Sequence, residues 1–247
     1  MKKLLTMVLA GMMVASLAGC GAADSDVYVI ATDTTFAPFE FENEDGEMVG
    51  IDLDLLAAIA EDQGFEYELQ SLGFSAAVTA LEANQCDAVI AGMSITAERE
   101  EKYDFSEAYF ESGVGMAVLP ESGITSYADL AGQTVAAKVG TEGCTFAESI
   151  AEEYGFTVTQ FEDSSSMYQD VLVGNSVACF EDYPVMGYEI SRGMNLTMPL
   201  EMEAGSSYGF ATMKGEQTEL VEMFNAGLAN LIESGEYDAI IDSYIAN

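Results

Sequence analysis

Residues 58–70, "AIAEDQGFEYELQ", align with residues 149–161, "SIAEEYGFTVTQF", when the chain is offset by 91 residues. Each copy continues into an apolar run, "CDAVIAG" in the first and "VACFED" in the second. Each copy therefore predicts a helix, a glycine cap, a strand, a turn, a second helix and a strand, with Gly64 and Gly155 in left-handed caps. Short apolar strands that alternate with helices indicate βαβ units. Two copies predict two similar lobes.

The predicted fold is α/β with two lobes, each a mixed, mostly parallel sheet flanked by helices. Lobe 1 is assigned to residues 27–111 plus 208–247, and lobe 2 to residues 112–207. The runs "SGVGMAVLP" (112–120) and "SSYGFATMK" (206–214) are the predicted hinge strands, because their glycines are small enough to absorb rotation. The alternative is one doubly wound domain with these runs as interior strands.

The N-terminal residues are typical of a secretory signal peptide. Lys2 and Lys3 precede an apolar run that ends in "LAGC" (17–20). These four residues resemble a bacterial lipobox, so residues 1–19 are predicted to be removed and Cys20 to be lipidated, with residues 20–26 as a tether. The alternative is an ordinary signal cut near Gly19 or Ala23. The lipid at Cys20 is then the expected membrane attachment, and the location is extracytoplasmic.

The charge of the chain excludes several classes of function. The sequence has 43 Asp and Glu but seven Lys and Arg; without residues 1–19 the side-chain charge is 5 − 43 = −38. Such a surface repels polyanions, so nucleic acid is not an expected partner. The chain has no His, the commonest zinc ligand and general base, and neither a metal site nor a cofactor is predicted.

Cys86, Cys144 and Cys179 are expected to be buried, and a Cys144–Cys179 bridge stays open as an alternative.

Polar and aromatic side chains follow the predicted strands at their carboxyl ends. Ligands of parallel α/β sheets bind in the crevice beyond those ends, and between two lobes that crevice is the cleft. The residues at these positions are Asp33, Phe36, Ser94, Thr96, Arg99, Lys138, Thr141 and Asp182.

Two long segments carry a resemblance to a known family. "ATDTTFAPFEFENEDGEMVGIDLDLLAAIA" (31–60) and "GFSAAVTALEANQCDAVIAGMSITAEREEKYDFSEAYF" (73–110) resemble the polar-amino-acid-binding proteins of bacterial ABC importers, extracellular solute-binding family 3. "DLAGQTVAAKVGT" and "ESGEYDAIIDSY" extend the resemblance over residues 27–247. It implies the type II periplasmic-binding-protein fold, a monomer, an L-amino acid as ligand and a membrane permease as partner.

The resemblance also implies roles at matching positions. Arg99 binds the ligand α-carboxylate as a bidentate pair, because the planar guanidinium suits that geometry. The Ser94 side chain and the backbone N–H groups of Gly92–Ser94 add donors. A salt bridge with Glu98, Glu100 or Glu101 is the alternative for Arg99, but neighbours in sequence do not face it.

Asp182 is expected to bind the ligand α-ammonium, and the alternative is a cap for the following helix. Phe36 and Phe74 stack on either side of the aliphatic stem, with core packing as the alternative. Thr141, after "VAAKVG", is a further ligand-binding candidate.

Two classes of ligand side chain remain open, a neutral amide and a cation. Asp33 and Lys138 occupy positions at which the chain resembles glutamine-binding members, and a carboxylate and an ammonium on opposite sides complement the two ends of an amide. Glutamine is favoured for this reason. Glu142 and Glu181 depart from that pattern, and both are weaker candidates to face a cationic side chain, that of arginine, lysine or histidine. Lys138 opposes a cationic ligand.

No catalysis is required by these roles, and a binding protein is predicted rather than an enzyme. The alternative of another class is a periplasmic dehydratase on the same fold, with Glu142 or Glu181 as general acid.

Overall fold

The computed structural model describes residues 27–245, so the predicted signal peptide, Cys20 and the tether up to residue 26 lie outside the described residues. Two five-stranded sheets carry the architecture, and each sheet has helices packed against it. Both sheets are mixed, as the fold class predicted.

The first sheet has β6 (Ala88–Val89) as its central strand. Its strands are β1 (Tyr28–Thr32), β5 (Tyr67–Ser71), β6 (Ala88–Val89), β7 (Tyr103–Phe105) and β13 (Ala211–Met213). Their order is β5-β1-β6-β13-β7; β1 pairs in parallel with both neighbours, and β13 pairs antiparallel with both of its own. A small antiparallel sheet lies beside it, formed by β2 (Thr35–Phe36), β3 (Glu40–Glu42) and β4 (Met48–Val49).

The second sheet repeats this plan. Its strands are β8 (Phe110–Val118), β9 (Thr134–Lys138), β10 (Thr157–Phe161), β11 (Ala178–Asp182) and β12 (Glu203–Tyr208). The order is β10-β9-β11-β8-β12, in which β9 pairs in parallel with both neighbours and β8 antiparallel with both of its own. The order of the second sheet is therefore that of the first, strand for strand.

The helices cover both sheets. They are α1 (Ile51–Gln63), α2 (Phe74–Glu82), α3 (Glu142–Tyr154), α4 (Ser164–Leu172), α5 (Tyr183–Ser191), α6 (Thr218–Ser234) and α7 (Glu236–Tyr244). Gly64 and Gly155 end α1 and α3 at φ values of 74° and 75°, the left-handed caps that the repeat predicted. Helix α6 packs on α1 of the first sheet, which returns the end of the chain to that half.

The chain passes between the sheets twice. The first passage is residues 106–109, before the predicted run 112–120, most of which belongs to β8 (Phe110–Val118). The second, residues 209–210, joins β12 to β13 within the predicted run 206–214. The passages are bonded side by side, because the Tyr109 N–H donates to the Tyr208 carbonyl at 2.9 Å.

The core of each half is made of the strand interiors and the facing helix sides. In the first half Ile30, Leu55 and Phe224 are fully buried, and in the second half Val135 and Phe180 are. Among the described residues, the three cysteines are buried and free, so the Cys144–Cys179 bridge does not form.

Candidate ligand-binding site

A small cavity lies between the two sheets. Nine sequence-predicted ligand residues and the weaker candidate Glu142 line it together, whereas Glu181 does not; Ala91 is the lining residue that the sequence did not indicate. The lining residues are Asp33, Phe36, Phe74, Ala91, Gly92, Ser94, Arg99, Lys138, Thr141, Glu142 and Asp182.

Arg99 begins a short 3₁₀ helix after β6 and reaches across to the second half. Its Nη1 donates to the Ser94 carbonyl at 2.9 Å, and its Nη2 donates to the Gly140 carbonyl at 2.9 Å. The ion pair found for Arg99 among the described residues is with Glu142 at 3.5 Å, not with its sequence neighbours. The Phe74 ring lies 5.6 Å from the guanidinium carbon. Burial lowers the pKa of Arg99, and Glu142 opposes that shift.

Asp182 ends β11 and precedes α5, but its side chain does not cap that helix. The carboxylate turns to the passages between the sheets instead, where Oδ2 accepts from the Tyr208 hydroxyl at 2.6 Å and lies 3.4 Å from the Ser112 hydroxyl. The capping alternative is therefore wrong. Burial raises the pKa of Asp182 to about 6, although the Tyr208 bond and Arg99 lower it.

Asp33 and Lys138 line the part of the cavity at which β1 and β9 end. We expected them on opposite sides of a ligand amide; instead the Lys138 ammonium is fully buried and bonds directly to Asp33 Oδ2. The ammonium also lies 3.4 Å from Thr35 Oγ1 and 3.3 Å from Ser164 Oγ. This contact joins the two halves, because each partner belongs to a different sheet.

Glu181 lies behind this end of the cavity rather than in it. It is fully buried, and its Oε2 accepts from the Ser164 hydroxyl at 2.7 Å while Oε1 accepts from the Asp182 N–H at 3.3 Å. Burial raises the pKa of Glu181 to about 7, and the nearby Lys138 opposes the shift. Glu181 therefore acts on Lys138 through Ser164 and has no direct access to the cavity.

Gly92 begins the loop that carries Ser94. Its φ is +51°, and a Cβ there would lie 2.4 Å from Cε1 of Phe36, so a glycine is required. Its N–H donates to Asp52 Oδ2 at 2.8 Å. Ser94 forms an isolated antiparallel bridge with Tyr208, which ties the loop to the passages between the sheets.

Thr141 is the N-cap of α3. Its Oγ1 accepts from the Cys144 N–H at 3.3 Å and donates to the Lys138 carbonyl at 2.8 Å. The threonine therefore has a structural role next to its place on the cavity wall.

Sequence reasoning missed the side chains that support the site. Tyr208 and Ser112 hold Asp182, Ser164 holds Glu181, and Asp52 holds Gly92. Tyr208 and Ser112 were part of predicted hinge strands, and nothing in their spacing distinguished them from strand interior. Asp52, an acid in the first turn of a helix, resembles a solvated residue in sequence.

The described residues contain no group of three or more His, Cys, Asp or Glu side chains able to hold a metal ion. Between residues 27 and 245, no helix is both long enough and apolar enough to cross a membrane.

Comparison with known proteins identifies one family that matches nearly all of the described residues. The model of the bacterial extracellular solute-binding proteins, family 3, matches residues 28–247. The arginine-binding extracellular protein ArtP of Bacillus subtilis is 30% identical, over 97% of this chain and 96% of that protein.

Solved structures share the fold. Substrate-binding domain 2 of Lactococcus lactis GlnP, in an open conformation, is 43% identical with a TM-score of 0.62, covering 90% of this chain and 96% of that one. An ancestral arginine-binding protein bound to glutamine is 33% identical with a TM-score of 0.81, covering 90% and 98%. These relatives are binding proteins rather than enzymes.

Proposed function

Because the chain belongs to the bacterial extracellular solute-binding proteins, family 3, we propose that it captures a polar L-amino acid, with glutamine favoured, and delivers it to the membrane permease of an ABC importer. The ligand binds between lobe 1 (27–111 plus 208–247) and lobe 2 (112–207) by hinge closure. Residues 1–19 are a signal peptide, and lipid at Cys20 anchors the monomer outside the cytoplasm.

The head of the amino acid is assigned to Arg99 and Asp182. Arg99 donates to two backbone carbonyls, and its Nη2 also lies 3.5 Å from Glu142 Oε1. A ligand carboxylate in bidentate contact is a stronger partner for a guanidinium than a neutral carbonyl. Asp182 is an acceptor that no cation of the described chain contacts directly. The two groups belong to different halves, so a zwitterion that binds both stabilises closure.

Glutamine is favoured because of the contact between Asp33 and Lys138. It presents an acceptor and a donor side by side at the end of the cavity opposite the head. A primary amide offers the complementary donor and acceptor. The paired charges cancel, which suits a neutral side chain and disfavours a cation.

A cationic amino acid is the second candidate, because Glu142 lines the cavity and two of the relatives described above are named for arginine binding. The position of Glu142 weakens this candidate: its carboxylate pairs with Arg99 at the head of the site rather than with the far end. Glu181, the other acid that favoured a cation, is outside the cavity.

The comparison of structures supports closure. The open domain has the higher sequence identity but the lower TM-score, whereas the glutamine-bound protein has the lower identity and the higher score. A whole-chain superposition worsens when two similar parts are rotated, so the present arrangement of the sheets is nearer to that of the bound relative.

Calorimetric titration tests the proposal. Residues 21–247, refolded free of carried-over ligand, are titrated with all twenty amino acids, and glutamine is expected to bind most tightly. Tighter binding of arginine, lysine or histidine would establish the second candidate, and no binding at all would contradict the assignment of an amino-acid ligand.

Two variants separate the ends of the site. Arg99→Lys is expected to weaken every amino acid by roughly 10- to 100-fold, because the bidentate pair is lost. Lys138→Met leaves Asp33 negative and is expected to shift preference from glutamine to a cationic amino acid. Asp33→Asn with Lys138→Met is the fallback if the single variant does not fold, and it is expected to keep a neutral preference. Arg192→Lys, on the exposed end of α5, is the control.

A further inference from the structure

Two fully buried acids, Glu40 and Asp52, lie behind the ligand loop, and Glu40 has no role in the site as described so far. Glu40 begins β3, and Asp52 lies in the first turn of α1. Asp52 Oδ2 accepts from the Gly92 N–H at 2.8 Å and from the Tyr109 hydroxyl at 2.7 Å. Asp52 Oδ1 and both Glu40 oxygens have no hydrogen-bond partner among the described residues. The Asp52 N–H donates to the carbonyl of Phe39, the residue before Glu40, at 2.9 Å, so the two acids are neighbours in the fold. Three carboxyl oxygens without donors on two neighbouring buried acids require an explanation.

A proton shared between the two carboxyl groups explains the oxygens that lack donors. Two neighbouring carboxylates away from water do not both ionise, because each raises the pKa of the other and burial raises both. A protonated carboxyl is a donor as well as an acceptor. A proton between Glu40 and Asp52 Oδ1 therefore satisfies two of the three unpartnered oxygens.

Glu40 is the partner that holds the proton. Asp52 accepts two hydrogen bonds and lies in the first turn of a helix, and both features favour a charged carboxylate. Burial raises the pKa of Glu40 well above its ordinary 4.5, with Asp52 and Asp33 adding to the shift and Lys138 opposing it. Burial raises the pKa of Asp52 to about 6, and its bonds from Gly92 and Tyr109 oppose that shift.

We propose that Glu40 is a positioning residue: in its protonated form it donates to Asp52, and Asp52 in turn holds the Gly92 N–H and the loop that binds the ligand carboxylate. The part of this inference that concerns ligand affinity rests on the proposed function. The part that concerns the proton and the Gly92 loop does not.

The pair responds to pH in a defined direction. The groups that face Glu40 are Asp52, Asp33 and Lys138, and those that face Asp52 are Glu40, the Tyr109 hydroxyl and the Gly92 N–H. Ionisation of Glu40 places two negative charges together and removes the donor from Asp52. Asp52 therefore holds the Gly92 loop in place at low pH. This restraint is lost as the pH rises through the folded-state pKa of Glu40.

Three variants test this in the intact protein. Glu40→Gln keeps a neutral donor, Glu40→Leu keeps the approximate volume without a donor, and Glu42→Gln changes an exposed acid of the same strand as control. The infrared spectrum at neutral pH is expected to contain an un-ionised carboxylic acid band to which both Glu40 and Glu181 contribute. Glu40→Gln is expected to remove the Glu40 part of this band, and Glu42→Gln to leave the band unchanged. Equal spectra for the two glutamine variants would overturn the shared proton.

Amide hydrogen exchange then reports on the loop without any ligand. Exchange at Gly92 is expected to be roughly tenfold faster or more in Glu40→Leu, because a hydrogen bond to a charged group is weakened, and to return to the wild-type rate in Glu40→Gln. Wild-type exchange in Glu40→Leu would overturn the positioning role. The affinity for L-glutamine is expected to be lower in Glu40→Leu and to return to the wild-type value in Glu40→Gln. If wild-type protein binds no L-glutamine while the spectra and exchange behave as stated, the proposed ligand is wrong and the positioning role stands.

Discussion

Glu181 is an acid whose protonation state is set by its surroundings. It is fully buried behind the cavity, and burial raises its pKa from 4.5 to about 7. The folded protein therefore holds a proton on Glu181 more tightly than the unfolded chain does. The resulting stabilisation is complete below pH 4.5 and is lost as pH rises to about 7.

Glu181→Gln is expected to flatten the pH dependence of stability. The free energy of unfolding of the wild type falls between pH 4.5 and about 7, and the variant, which has no carboxyl at this position, shows a smaller fall. Urea unfolding at a series of pH values measures both. Glu153→Gln, an exposed acid of α3, is the control. An unchanged slope in Glu181→Gln would contradict the raised pKa.

At the scale of residues, the sequence indicated the lining of the cavity better than its support. Arg99, Lys138 and Asp182 follow strands, and the rule that ligands bind beyond strand ends is local enough to place them. Their partners are distant: Tyr208 lies 26 residues from Asp182. A hydrogen bond of that kind leaves no pattern in a single sequence, which is why the bond from the Tyr208 hydroxyl to Asp182 was not foreseen.

At the scale of elements, the repeat was a sound guide. The offset of 91 residues carries α1 onto α3 to the residue, since 142 − 51 = 91 and 154 − 63 = 91. The antiparallel strands β7, β8, β12 and β13 were harder to place, because a short buried strand is equally apolar in either direction. The position of the first passage between the sheets was shifted for the same reason.

Two helix glycines give a matched test of packing between elements. A Cβ at Gly227 of α6 would lie 2.8 Å from Cγ2 of Ile59 on α1, whereas a Cβ at Gly187 of α5 would lie 3.7 Å from Cε of Met198. Gly227→Ala is expected to lower the free energy of unfolding by about 1–3 kcal/mol through overpacking. Gly187→Ala is expected to raise it by about 0.5–1 kcal/mol through helix propensity.

Thermal and urea unfolding of the two variants measure this difference. Stabilisation by both alanines would mean that α1 and α6 separate without loss, and that Gly227 is not required for their contact.

At the scale of the whole molecule, net charge opposes the folded state. The chain carries 43 acids and seven bases, a formal charge of −36, and a compact shape brings these acids together. The folded state is therefore stabilised when salt screens their repulsion, and the Debye length is about 8 Å at 0.15 M.

The unfolding temperature is accordingly expected to rise as sodium chloride is increased from low ionic strength to about 0.15 M. A parallel series in potassium chloride is the control, since screening depends on ionic strength and not on which cation is present. A constant or falling temperature would mean that buried ion pairs, which salt screens little, outweigh the repulsion at the surface.

Five charged side chains line the cavity; Glu142 pairs with Arg99 at the rim of the site, and the other four alternate in sign. The first half contributes Arg99 and Asp33, the second half contributes Asp182 and Lys138, and opposite signs face each other at both ends. This arrangement is an electrostatic quadrupole, whose potential falls off more steeply with distance than that of a single ion. A simple ion of either sign meets attraction and repulsion together at each end. A molecule whose own charges and dipoles alternate is attracted at every contact. The pattern of charges therefore favours such a molecule over a simple ion.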